Sequence, residues 1–262
     1  MPRITPAVLR RMKAERKKAV WLALYDAPSA RIAEQAGVDV FLVGDSAATT
    51  VFGHEDTIPI TLETMLALCR AVARARKDAM VVLDLPFGSY QASPEAAFAA
   101  SVRALKEGGA DAVKMEGGAW LAPTVAFLAE RGVGVVGHVG LLPQAQRMTG
   151  SLKRRGEDPK ERQALLDDAK ALAEAGAVAL VLEHVPAALA REITESVPIP
   201  TVGIGAGPHC DAQVLVWHDL LGLSAKRPPF APAYAELGQA ARKAIARWAE
   251  DVRSGRFPEG EA

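Results

Sequence analysis

Charge of one sign, cysteine and long apolar runs are the three things this sequence lacks. Thirty-one basic residues balance thirty-one acidic ones over 262 residues, which excludes a general electrostatic footprint for nucleic acid or an anionic membrane. No apolar run reaches the roughly 18 to 20 residues that span a bilayer. The nearest candidate for a secretory core, AVWLALY behind the basic MKAERKK, runs into Asp26 and lacks a small-residue cleavage site, so it is expected to be a strand. Only two cysteines occur: Cys69 in the stretch MLALCRAVARA and Cys210 in GPHCD, with no metal or redox spacing between them. A reducing, cytoplasmic compartment is the expectation. Linkers, low-complexity blocks and internal repeats are also missing.

What is present is a regular alternation. Half the residues are hydrophobic and 24% are charged, enough for a sizeable core and a hydrated surface. Eight apolar segments stand out: AVWLALYD (19–26), VDVFLVGDS (38–46), MVVLDLP (80–86), AVKMEGG (112–118), VGVVGHVG (133–140), AVALVLEHVP (177–186), PTVGIGAG (200–207) and QVLVWHD (213–219). Their cores are Val, Ile and Leu without polar alternation, as in parallel strands covered on both faces. Between them lie amphipathic stretches (29–37, 61–77, 93–109, 121–132 and 161–176), several ending at a glycine that suits a helix C-terminus. The pattern predicts an α/β fold, a single (β/α)8 barrel domain over 1–262 with a charged C-terminal helix in 234–255 and a frayed tail. An open doubly wound sheet is the competing architecture.

Barrel chemistry gathers where strands end, and the polar residues fall there. The first strand ends in Tyr25 and Asp26 and the second in Asp45 and Ser46; Asp84 belongs to the third, Lys114 and Glu116 to the fourth, His138 to the fifth, Glu183 and His184 to the sixth. Each acid has a plain alternative as a turn former or helix N-cap. The set argues for more. Lys114 and Glu116 share the two-residue strand period and face one side; buried there, they need partners or an ion. Asp45, Asp84 and Glu116 on neighbouring strands offer hard oxygens to a divalent cation such as Mg²⁺. The alternative is a structural ion-pair cluster around Lys114.

These segments also resemble a known family. YDAPSARIAEQAGVDVFLVGDS, GHEDTIPITLETM, VVLDLPFGSYQASPEAA, GGADAVKMEGG, GHVGLLPQ, ALVLEHVP, IPTVGIGAGPHCDAQVLVWHDLLGL and SGRFP resemble, in order, the ketopantoate hydroxymethyltransferases, from about Ile4 to Pro258. The resemblance implies a (β/α)8 barrel of the phosphoenolpyruvate/pyruvate type. It also implies transfer of a hydroxymethyl group from 5,10-methylenetetrahydrofolate to 3-methyl-2-oxobutanoate, giving 2-dehydropantoate for pantothenate biosynthesis. By the same resemblance Asp45 and Asp84 hold Mg²⁺, with Glu116 direct or through water; Ser46 and Lys114 contact the 2-oxo acid; Glu183 is the general base; His138 lines the pocket. A large homo-oligomer, commonly a decamer, is implied as well, with small-molecule partners only.

The chain departs from the family pattern in two places. Ala47, Ala48 and Thr49 follow GDS where Leu-Gly-Met is common, and Leu152 stands where a tyrosine is expected. Three further signals are open. GIGAG (203–207) has GxGxG spacing, not the dinucleotide fingerprint; GHED (53–56) is a loop or a metal site; SLKRRGEDPKER (151–162) is an exposed loop leading into a helix, or a lid and folate contact. Two other functions fit parts of the pattern: a mutase or lyase of the phosphoenolpyruvate mutase type, and a non-catalytic barrel that binds a 2-oxo acid.

Overall fold

The computed structural model describes residues 3–258. They form two compact units that divide between Leu215 and Val216. The first is a closed eight-stranded barrel with strand order β1 to β8 in sequence: β1 Ala19–Ala23, β2 Val40–Val43, β3 Met80–Asp84, β4 Ala112–Glu116, β5 Val135–Gly140, β6 Ala179–Glu183, β7 Thr201–Ile204 and β8 Ala212–Val216. All seven strand pairings from β1 to β8 are parallel, so the closed barrel, not the open sheet, is the architecture. Each expected apolar segment supplies one strand. Except at β5, which ends with its run at Gly140, the strands stop before the apolar runs do, and the last residues of those runs lie in the segments that follow.

The helices between strands are α1 Pro6–Ala14, α2 Ala27–Gln35, α3 Leu62–Ala75, α4 Pro94–Arg103, α5 Ala122–Glu130, α6 Pro159–Glu174 and α7 Ala187–Ser196. Their starts are written in the sequence. Thr5, Asp26, Thr61, Ser93 and Asp158 accept hydrogen bonds from backbone N–H groups of the first turn, which satisfies donors that the helix leaves unpaired. Two helices lay outside the sequence reading, α1 and α7. The first lies before any strand; the second follows β6 within a few residues, so its apolar positions merge with the strand run.

The segment 93–109 is not one α-helix. It passes from α4 into a π-helical turn, Ala104–Gly108, that ends at Gly109 with φ 75°. The wider turn seats Gly108 against α3, where a Cβ would lie 3.3 Å from Cys69 Sγ. Cys69 and Cys210 are both buried and unpaired with each other. Burial pushes the Cys69 thiol up to about 12.

The second unit carries α8, Leu237–Arg253. It is amphipathic, and Ile245, Trp248 and Val252 on it are exposed. Among the described residues no helix is long and apolar enough to cross a membrane.

Candidate active site

Strand register assembles the site. β3 pairs with β4 so that Asp84 stands beside Lys114, β4 with β5 so that Glu116 stands beside His138, and β5 with β6 so that Gly140 stands beside Glu183. Lys114 Nζ donates to both oxygens of Asp84, at 2.7 and 2.6 Å, and lies 3.6 Å from Glu116 Oε1. Met115, between them in sequence, is fully buried, as the two-residue period requires. His138 sits between two carboxylates, with Nδ1 3.5 Å from Glu116 Oε1 and Nε2 3.3 Å from Glu183 Oε2. An unbroken row therefore runs Asp84, Lys114, Glu116, His138, Glu183. Asp45 joins it from the loop after β2: its backbone N–H faces Asp84 Oδ2 at 3.4 Å. Ser46 Oγ lies 2.8 Å from the hydroxyl of Tyr25. All seven residues expected from the sequence thus gather toward the carboxyl ends of neighbouring strands.

The row is almost dry. Asp45, Asp84, Lys114, Glu116 and His138 are each buried, while the Glu183 side chain keeps 17% exposure. Glu183 is therefore the acid of the row that solvent touches most. Burial raises the Asp45 carboxyl well above the usual range, and the charges of Asp84 and Glu116 add to that. Burial opposes charge on Lys114, yet the surrounding Asp84, Glu116 and Asp45 carboxylates hold its proton more tightly than in water. Burial likewise opposes charge on Glu116, but Lys114 and His138 outweigh it and keep the carboxyl below its ordinary value. His138 is raised to about 9: burial and Lys114 oppose its proton, and Glu116 and Glu183 together win.

This donor set suits a hard divalent cation. Asp45, Asp84 and Glu116 are buried together, and Glu116 Oε1 faces Lys114 Nζ and His138 Nδ1 at 3.6 and 3.5 Å without a hydrogen bond to either, so a cation would meet carboxylate oxygens there. Among the described residues no group of three or more His, Cys, Asp or Glu side chains is placed to hold a metal ion, so at most two of these carboxylates would bind one directly. Water or ligand oxygens would complete the coordination, as Mg²⁺ prefers.

Residues 3–260 match the family model described as ketopantoate hydroxymethyltransferase. The chain belongs to this family. Among relatives of the ketopantoate hydroxymethyltransferase family, the 3-methyl-2-oxobutanoate hydroxymethyltransferase of Carboxydothermus hydrogenoformans is 51% identical over 260 residues, covering 99% of this chain and 94% of that one. The enzyme of the same name from Thermobifida fusca is 48% identical over 257 residues, covering 98% and 92%. That from Pyrobaculum calidifontis is 50% identical over 249, covering 95% and 93%. Solved structures with the same barrel include a putative phosphonomutase from Burkholderia cenocepacia J2315, at 19% identity and TM-score 0.65 over 94% of this chain and 98% of that one. A 2,3-dimethylmalate lyase of the phosphoenolpyruvate mutase/isocitrate lyase superfamily matches at 18% identity and TM-score 0.63, covering 99% and 91%. These establish a shared fold. The mutase and lyase reading has the barrel in common with this chain, and sequence places the chain among the hydroxymethyltransferases.

Within this family member the remaining expectations divide. Asp26 is an N-cap, accepting from the backbone of Ser29 at 2.7 Å, so its alternative role holds. In GHED, Asp56 pairs with Arg147 at 2.6 Å, and Gly53, His54 and Glu55 are exposed; the segment is a surface loop. In GIGAG, Gly203 and Ile204 end β7 and the chain bends over 205–207, with Gly205 and Gly207 at φ 61° and 75°. Residues 151–158 form a loop before α6, and Arg155 N–H donates to the carbonyl of His184 at 3.0 Å, which brings this loop to the end of β6. Ala47 and Ala48 are fully buried in a short helix, Ala47–Thr50, whereas Leu152 is half exposed.

Two residues escaped the sequence reading. Gln144 donates through Nε2 to Asp45 Oδ2 at 3.0 Å and through its backbone N–H to Glu116 Oε2 at 3.0 Å. Tyr90 Oη accepts from the backbone N–H of Glu116 at 3.0 Å. Burial, with the Glu116 charge, raises the Tyr90 phenol far above its usual value, so it keeps its proton to donate. Neither stands at the end of an apolar run, where polar residues attract notice; both lie in loops beyond the strand ends.

Proposed function

We propose that the protein transfers a hydroxymethyl group from 5,10-methylenetetrahydrofolate to 3-methyl-2-oxobutanoate, giving 2-dehydropantoate; its relatives are named as hydroxymethyltransferases of that 2-oxo acid. The observation that supports this most is the buried row of Asp84, Lys114, Glu116 and His138 ending at the solvent-reachable Glu183. Such a row puts an anion-handling cluster and a base on one ligand, which enolisation of a 2-oxo acid requires.

Asp45 and Asp84, with Glu116 through water, are the residues that would hold Mg²⁺, which when bound supplies Lewis-acid polarisation of the keto group. Lys114 offsets the anionic charge of the 2-oxo acid, and Ser46, aligned by Tyr25, contacts it. Glu183 removes the C3 proton, and the electron pair left on C3 forms the new bond to the one-carbon unit of the folate; a water supplies the hydroxyl oxygen, both C–N bonds of the methylene break, and tetrahydrofolate leaves carrying the C3 proton and one water proton on its two nitrogens. A positioned base of this kind contributes about 10²- to 10⁴-fold in rate. His138, raised to about 9 between Glu116 and Glu183, holds Glu183 in place as a charged neighbour.

The chain is further assigned to a homo-oligomer, the exposed Ile245, Trp248 and Val252 of α8 supporting an interface, and to the cytoplasm, which the two unpaired cysteines suit.

Exchange of the C3 proton of 3-methyl-2-oxobutanoate in D₂O, followed by NMR, tests the reading. We expect Mg²⁺-dependent exchange, conversion to 2-dehydropantoate once methylenetetrahydrofolate is added, and loss of both in Glu183→Gln with 2-oxo acid binding retained. Exchange at the parent rate in Glu183→Gln would remove the base assignment. No exchange in folded, Mg²⁺-supplied parent protein would favour a non-catalytic 2-oxo acid binder or a different substrate.

A further inference from the structure

Gln144 sits in a single 3₁₀ turn, Pro143–Ala145, just past β5, and is buried. Its side chain and backbone make five hydrogen bonds to residues from three other parts of the barrel. The backbone N–H donates to Glu116 Oε2 at 3.0 Å. Nε2 donates to Asp45 Oδ2 at 3.0 Å and to the carbonyl of Leu85 at 2.9 Å. Oε1 accepts from Tyr90 Oη at 2.7 Å and from Gln91 Nε2 at 3.2 Å.

Both amide protons and both carbonyl lone pairs are used, which is the full capacity of a glutamine side chain. Its orientation is also forced. Turned over, the amide oxygen would face the Asp45 carboxylate and the Leu85 carbonyl, acceptor against acceptor. Tyr90 enforces the same polarity: its hydroxyl accepts from Glu116 N–H at 3.0 Å, so its one proton goes to Gln144 Oε1, the nearer of its two acceptors. The chain runs Glu116 N–H to Tyr90, Tyr90 O–H to Gln144, Gln144 N–H to Asp45. One residue thereby fixes an oxygen of each of two carboxylates, Asp45 in the loop after β2 and Glu116 at the end of β4, and no polar atom of its side chain is left to touch a substrate.

We infer that Gln144 is a positioning residue that sets the cation affinity of the site by orienting Asp45 and Glu116, with Tyr90 keying its amide. The inference rests on the reading of Asp45, Asp84 and Glu116 as the residues that hold a divalent cation. Hydrogen-bond partners that orient metal ligands typically govern about 10- to 100-fold in affinity.

The test is Mn²⁺ binding followed by electron paramagnetic resonance on the full chain, in the parent, Asp45→Asn, Gln144→Met and Tyr90→Phe, with circular dichroism and thermal melting alongside. The expectation is tight binding in the parent, loss in Asp45→Asn, a Kd roughly 10- to 100-fold higher in Gln144→Met, and a smaller rise in Tyr90→Phe. A lowered melting temperature with parent-like Kd in Gln144→Met is the signature of a purely structural role and overturns the inference alone. Should Gln144→Met fail to fold, parent-like Kd in Tyr90→Phe overturns it in the same way. No binding by the parent, or undiminished binding in Asp45→Asn, removes the cation reading and this inference together.

Discussion

At the scale of single residues, Lys114 carries the heaviest electrostatic duty. It is the ammonium shared by Asp84 and Glu116 inside the barrel, and removing one partner from a buried ion pair leaves the other charge uncompensated. Lys114→Met should therefore destabilise the protein by about 3 to 5 kcal/mol near neutral pH, read from urea denaturation; a loss below 1 kcal/mol would mean that the acids find compensation elsewhere. The seven site residues were visible in the sequence because each belongs to or closely follows an apolar run, and a charge in such a place has few structural excuses. The roles carried over by family resemblance, metal ligand, base and substrate contact, rest on that resemblance and on the proximity now seen. Gln144 was not visible. A neutral amide after Leu-Leu-Pro looks like any loop residue, and its importance lies in contacts to Asp45 and Glu116, 99 and 28 residues away in sequence.

At the scale of elements, strands were more legible than helices. Buried parallel strands leave an unbroken apolar signature, and all eight were marked. Helices α1 and α7 were missed, and the π-helical turn at Ala104–Gly108 has no signature beyond the closing Gly-Gly. Turn glycines offer a sharper test of element joining. Gly207, at φ 75°, would place a Cβ 2.5 Å from Ala187 Cβ at the start of α7, whereas Gly132, at φ 80°, meets nothing within 4 Å. Both substitutions by alanine pay the left-handed strain of about 1 kcal/mol. Only Gly207→Ala adds a clash, so its chemical-denaturation midpoint should fall further than that of Gly132→Ala. Equal midpoints would show that α7 shifts without cost to admit the methyl.

At the scale of the whole molecule, the proposed cation site predicts that the concentration of carboxylates makes stability answer to divalent cations. Asp45, Asp84 and Glu116 repel one another across a buried space, and an ion that binds only the folded state relieves this while drawing the equilibrium toward folding. At Mg²⁺ concentrations about 100 times Kd the gain is roughly 2.7 kcal/mol. Melting temperature should rise with added Mg²⁺, fall on treatment with EDTA, and lose this dependence in Asp45→Asn. A melting temperature indifferent to Mg²⁺ in the parent would argue for the structural ion-pair cluster instead.

The register that lines up Asp84, Lys114, Glu116, His138 and Glu183 also dictates when the site can exist. Asp45 and Asp84 leave the ribosome long before His138 and Glu183, because the row follows strand order from β2 to β6. A nascent chain that has delivered four strands holds Asp45, Asp84, Lys114 and Glu116 but neither His138 nor Glu183. The row is therefore incomplete throughout most of synthesis, and the barrel that holds it closes only with the eighth strand. Any split of the gene between β4 and β5 yields two halves that must find each other before either can do chemistry.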